Sequence, residues 1–183
     1  YRKYYDLCNE GIAYTKGIIE SEEWKSRTGW KLETENSEHK YQVFSKVFPK
    51  WGKTFCAVGD FKVDAAALYE EIAKNIEVVP KWNPTILEYR SVLQFSTYGS
   101  IVYSCTAEVL GGLVKSRDFL DVQTYRQIGD DYFIGGYPIK YDQIKEQKGR
   151  VRGQNGPGLF RIRRNAENTE LATCEWLMSS DLK

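Results

Sequence analysis

The feature that most constrains this chain is the run of short extended segments that starts after Pro84 and continues almost to the end. Segments with strand character cover 85–95, 100–107, 119–127, 132–138, 149–152, 159–164 and 170–179, and turn signals fall at Tyr98-Gly99, Gly129-Asp130, Asn155 to Gly158 and 165–168. A strand leaves its N–H and C=O groups unpaired unless neighbours take them, so segments this closely spaced are expected to pair with one another, mostly antiparallel. Before Pro84 the hydrophobic period is different. Tyr4, Leu7, Gly11, Tyr14 and Ile18 recur at intervals of three and four, which predicts a helix over 4–24 that ends before Gly29. Extended segments follow at 29–34, 40–48 and 53–63. Asp64 is a suitable N-cap for a helix over 65–75, with Leu68, Ile72 and Ile76 on one side and Pro80 closing it. Helix, three strands, short helix and a long antiparallel run predict an α+β domain in which one curved sheet wraps round something.

The chain is one ordinary domain of 183 residues, read as a single unit over 1–183. Its 26 basic and 25 acidic residues cancel to a net +1, which removes the electrostatic footprint of nucleic-acid binding. Lacking a long apolar run or a charged-then-apolar start, it is expected neither to span a bilayer nor to enter secretion. Four scattered cysteines, Cys8, Cys56, Cys105 and Cys174, form no CxxC pair and fit reduced thiols in the cytoplasm. The one histidine, His39, lies in a polar stretch that reads as a hairpin turn. No metal spacing, nucleophile elbow, phosphate loop or dinucleotide fingerprint is present, so no catalytic or metal-ligating residue, and no cofactor, is assigned.

The strands after Pro84 are mixed rather than cleanly alternating, which suits a cavity that is apolar with a few placed polar groups. Alternation puts Val102, Ser104 and Thr106 on one strand face, and Arg117, Phe119, Asp121, Gln123 and Tyr125 on another. Asp121, Arg117 and Tyr125 beside a cavity raise the idea of a carboxylate base, but nothing makes that combination specific to a reaction. Trp176 and Met178 share a face with Ala172 and Cys174, as packing or as cavity wall. The basic residues Arg150, Arg152, Arg161, Arg163 and Arg164 read as a solvated sheet face, with attraction to anionic lipid as a second reading.

Lys81-Trp82-Asn83-Pro84, the run GGLVKSRDFL from Gly111 to Leu120, Glu146 to Gly149 and Asn155-Gly156-Pro157 together resemble the signature of START lipid-binding domains, over nearly the whole chain from Tyr4. The resemblance is to the sterol-transferring branch, within which insect carotenoid-binding members of the silkworm type are similar. It implies the helix-grip arrangement: a curved antiparallel sheet around a hydrophobic tunnel, closed by a long C-terminal helix. The sequence ends at Lys183 with the last strand, so a domain cut short before that helix is expected. It further implies non-catalytic transfer of one hydrophobic lipid by a monomer that touches membranes transiently.

The same resemblance implies that Ser104 and Gln123 point inward, where sterol-binding relatives place a buried acid and an arginine. A neutral hydrogen-bonding pair in their place favours a carotenoid such as lutein as cargo, with a sterol as the alternative. Val79 matches a cavity-lining position. Trp82 and Asn83 match a Trp-Asn motif with Asn83 near the ligand and Trp82 against the sheet, or else simply make the turn before Pro84. Arg117 and Asp118 are expected to pair and brace the tunnel mouth, or else to be a solvated pair. Asn155 stands where relatives place a histidine, or makes a turn. Val109, Leu110, Gly111, Gly112, Leu113 and Val114 correspond to a mobile loop expected to gate the tunnel.

Overall fold

The computed structural model of the protein describes residues 1–108 and 115–181, and the expected gating residues 109–114 lie outside them. Helix α1 covers Arg2–Ile19 and α2 covers Glu22–Ser26. The single helix predicted over 4–24 is therefore broken. Ser21 breaks it by capping α2, its hydroxyl accepting from the Trp24 N–H at 3.1 Å. The buried stripe of α1 is Cys8, Gly11, Ile12, Thr15 and Ile19, rotated from the predicted stripe by about one position. Thr15 is tolerated there because its hydroxyl donates to the Gly11 carbonyl at 2.7 Å.

Strands β1 (Lys31–Asn36), β2 (Tyr41–Phe48) and β3 (Gly52–Phe61) are the three expected extended segments, paired antiparallel in chain order. Asp64 caps α3 (Ala65–Lys74) by accepting from the Ala67 N–H at 2.9 Å. Pro80 does not close that helix. A 3-10 turn over Ile76–Val78 leads into α4 (Val79–Trp82), where Pro80 occupies the first turn, a position that needs no N–H donor. Then follow β4 (Ile86–Ser96), β5 (Gly99–Thr106), β6 (Arg117–Ile128), β7 (Asp131–Pro138), β8 (Val151–Arg152), β9 (Gln154–Asn155), β10 (Gly158–Arg164) and β11 (Ala172–Asp181).

These strands make one sheet in the order β1-β2-β3-β11-β10-β7-β6-β5-β4, with β9 joining β11 and β8 joining β6. Every ladder is antiparallel except β6 with β8, which is parallel, so the antiparallel expectation fails at 149–152. The two faces of the sheet have different coverings. On the outer, convex face α1 lies against β6, β7 and β10. There Ile12, Ile19, Trp24, Trp30 and Phe44 pack with Phe133, Leu159 and Leu177. On the inner, concave face α3 and the 3-10 turn cover one end, where Ile72 packs near Ile162 and Ile76 near Val102, Tyr125 and Ile134.

Ion pairs on the convex side account for much of the basic cluster. Arg152 grips the fully buried Asp118 with two bonds of 2.8 and 2.9 Å, and Tyr103 donates to the same carboxylate at 3.1 Å. Arg150 bonds Glu88 and Tyr103, and Arg161 bonds Asp131 and Glu175. Glu175 also accepts from the Trp24 indole at 2.7 Å. Arg150, Arg152 and Arg161 are thus not a solvated sheet face. Arg164 remains largely exposed. A buried carboxylate with one partner removed leaves an uncompensated charge, so these pairs hold the loop before β8 and the helix α2 in fixed places.

Candidate functional site

The concave face is where the inward sets of five strands meet. Alternation puts Val102 and Ser104 of β5, Phe119, Asp121, Gln123 and Tyr125 of β6, Ile134 and Gly136 of β7, Phe160 of β10, and Trp176 and Met178 of β11 on that side. Polar groups gather on β6. The Gln123 carboxamide oxygen accepts from the hydroxyls of Tyr89 and Tyr125, both at 3.2 Å. Two residues along, Asp121 accepts from the Asn155 amide at 2.8 Å. Burial pushes the Asp121 carboxyl up to about 6, with the Asn155 hydrogen bond opposing it, and burial likewise lifts the Tyr89 hydroxyl to about 12.

Asn155 is not merely a turn residue. Its strand β9 pairs with the end of β11, and Gly156 passes so close to Ser179 that a side chain there would collide with its hydroxyl. That fit carries Asn155 to Asp121.

Ser104 and Gln123 both face inward, but they do not pair. Ser104 lies opposite Phe119 and Gln123 opposite Ser100, so four residues, about 13 Å of strand, separate their positions, too far for a serine side chain to bridge. Tyr89, which sits opposite Ser104 on β4, makes the contact instead. Arg117 and Asp118 do not pair either. As neighbours on a strand they point to opposite faces, and Asp118 goes to Arg152. The Arg117 guanidinium bonds the Lys115 carbonyl at 2.9 Å. Thr106 spends its hydroxyl on the Arg117 N–H at 3.2 Å and so staples the roots of the segment between β5 and β6. Phe119 is buried against Gly153, and Val102 packs under Ile76.

Trp82 is 61% exposed and does not lie against the sheet, because α4 is a single turn whose last residue faces outward. Asn83 accepts from the Thr85 N–H at 3.1 Å and from its hydroxyl at 2.6 Å, which is the turn reading. Val79 is half-buried at the start of α4.

Beyond β7 the concave face is apolar and open. Phe61 is 52% exposed, Trp176 49% and Met178 38%, and a cleft of about 530 Å³ runs between Tyr41, Phe61, Phe160, Cys174 and Trp176. The described elements therefore form a trough rather than a closed tunnel. All four cysteines are free and buried, and burial holds Cys8 up at about 11 and Cys174 at about 12, so neither is a thiolate nucleophile at neutral pH. Among the described residues no cluster of His, Cys, Asp and Glu could hold a metal ion, and no helix is long and apolar enough to cross a membrane.

A curved sheet sealed by a helix on its convex face, with short helices and a trough on its concave face, defines an α+β domain of the helix-grip class. Within that class the chain belongs to the START-domain family, whose model matches residues 16–183. It is 30% identical over 180 residues to the mitochondrial steroidogenic acute regulatory protein of Bos taurus and 29% identical over 180 residues to that of Danio rerio. In each case 98% of this chain and 61% of the relative is covered, so the chain spans about three fifths of their length. To the steroidogenic acute regulatory protein of Xenopus laevis it is 33% identical over 157 residues, covering 85% of this chain and 54% of that one. Among solved structures, human StAR-related lipid transfer protein 5 superposes with a TM-score of 0.87 at 14% identity, covering 100% of this chain and 84% of that one. A STAR-related lipid transfer protein from Xanthomonas axonopodis gives 0.68 at 17% identity, covering 84% and 82%. These two likenesses establish the fold.

Proposed function

We propose that the protein binds one sterol-class lipid in the concave trough and carries it between membranes without chemical change. The observation that carries this reading is the division of the trough: polar groups gather on β6, and an apolar wall stands on β11. Between those strands lie β10 and β7, so the two sides are three strand spacings, about 14 Å, apart. A lipid with one hydroxyl and a rigid apolar body suits that division. Its hydroxyl donates to Asp121 or accepts from the Gln123 amide, and its body lies toward Trp176 and Met178. Moving from bilayer to trough keeps its apolar surface out of water, so transfer needs no catalytic group.

The carotenoid reading relied on a neutral Ser104–Gln123 pair, and these residues do not meet. A carotenoid such as lutein also carries a hydroxyl at each end, whereas the hydrogen-bonded cluster of Tyr89, Asp121, Gln123, Tyr125 and Asn155 lies on the β6 side alone. The relatives named above are steroidogenic acute regulatory proteins, which supports a sterol over a pigment. The protein works as a monomer in the cytoplasm, touching membranes only to load and unload.

The test is to incubate the full-length protein with vesicles containing cholesterol, lutein and phospholipid, re-isolate it, and identify the retained lipid by mass spectrometry. One cholesterol per protein is expected. Stoichiometric lutein would return the cargo to the carotenoid class, and an empty protein would remove the carrier reading.

A further inference from the structure

Two glycines on the concave face, Gly136 inside β7 and Gly158 where β10 opens after the turn, are required neither by a positive φ nor by packing. Gly136 of β7 and Gly158 of β10 are cross-strand partners. Neither has a positive φ. A Cβ at Gly136 would meet only the Val122 carbonyl oxygen at 3.9 Å, and one at Gly158 only the Leu177 carbonyl oxygen at 3.5 Å, both ordinary contacts. The adjacent Gly135 is the contrast. It faces the other way, where a side chain would strike Ile12 of α1 at 2.8 Å, so its smallness is required by helix packing. Glycine inside a strand, as at Gly136, weakens the strand, and where no bulge or close helix accounts for it, a closely approaching ligand is the remaining common reason; Gly158, at the start of β10, extends the same bare surface.

The position of the pair points to that ligand. Gly136 lies opposite Gln123 on one side. Gly158 lies, on the other, one step past the Leu159–Leu177 pair and so beside Met178. Two residues along the same strands, Ile134 and Phe160 face each other and rise as a wall. We propose that Gly136 and Gly158 form a bare backbone floor between the polar groups of β6 and the apolar wall of β11, and that this floor selects a rigid fused-ring lipid. A flexible acyl chain bends round a side chain by rotating its bonds. A fused-ring plate cannot, so it needs a floor without side chains. This inference rests on the concave trough being the lipid site.

The experiment measures binding of dehydroergosterol, a fluorescent sterol, and of parinaric acid, a fluorescent single-chain fatty acid, to the full-length protein and to Gly136→Ala, Gly136→Val, Gly136→Phe and Gly158→Val, with thermal unfolding measured alongside. Sterol affinity is expected to fall in the order Ala, Val, Phe at position 136, by about tenfold or more for Phe, while fatty-acid affinity falls by about threefold or less. The unfolding midpoint of Gly136→Ala should stay level or rise, because a Cβ there makes one ordinary contact and glycine is a weak strand former. Unchanged sterol affinity in a folded Gly136→Phe protein would overturn the floor. So would parallel loss of affinity and unfolding midpoint, which would make the glycines a packing requirement. If Gly136→Phe does not fold, the Ala and Val variants decide by the same criteria. Failure of the unsubstituted protein to bind sterol at all would instead defeat the function proposed above.

Discussion

At the scale of single residues, Asp121 is the group whose behaviour is most sharply determined by its place. Its carboxyl binds a proton more tightly in the fold than in the open chain, since burial raises it from 3.8 to about 6. Between those values the folded state holds more proton than the unfolded state, so stability falls as pH rises across the window and is level above it. Asp121→Asn removes the penalty and keeps an oxygen for the Asn155 amide. The variant should match the parent at pH 3.5 and exceed it at pH 7.5 by on the order of 1 kcal/mol after solvent screening, read from urea unfolding at both pH values. A gap of the same size at both would refute the burial account. Asp121, Gln123 and Asn155 were all visible in the sequence as candidates, but their partners were not. Tyr89 in particular was missed, because β4 slips register between Ile86 and Glu88, between Ser91 and Leu93, and between Gln94 and Ser96. Three such slips destroy the period of two from which an inward residue is read.

At the scale of elements, the strands were legible almost throughout, because turn chemistry and β-rich runs bracket each one. The shared face of the β5 and β6 residues is legible as well, whereas their neighbours and the exact buried stripe of α1 are not. The expected helix stripe lies about one position off the buried one: Tyr4, Leu7 and Ile18 pack against the margin of the core, while the closest approach of α1 to the sheet is made by small groups. Gly11 meets Tyr137 and the Gly136 carbonyl, and Gly135 meets Ile12. Gly135→Ala pushes a methyl group into Ile12 at 2.8 Å and should therefore cost about 1–3 kcal/mol by overpacking. The same change at Gly136 is expected to be neutral or slightly stabilising. Chemical denaturation of the two variants side by side checks this, and equal losses would mean that both faces of β7 are packed alike. Such a difference between adjacent glycines cannot be read from a string of letters, since it depends on which side of the sheet α1 occupies.

At the scale of the whole molecule, the two faces divide the tryptophans between fold and ligand. Trp24 and Trp30 lie in the convex core, with the Trp24 indole bonded to Glu175, and neither touches the trough. Trp51 packs against Tyr137, and Trp82 projects from α4. Trp176 alone of the five stands on the trough wall, with half its surface open and its ring edge-on to Phe160 at 6.5 Å. A lipid lying along the trough covers that ring and removes water from it. Loading with cholesterol, which is itself transparent where tryptophan emits, should shift the emission of the full-length protein to shorter wavelength, and Trp176→Phe should abolish most of that shift. Because phenylalanine keeps an apolar ring at the wall, cholesterol affinity should change by less than about threefold. A shift that survives the substitution would mean that the lipid alters a tryptophan away from the wall, as it would if loading displaced α4 and Trp82 rather than covering β11.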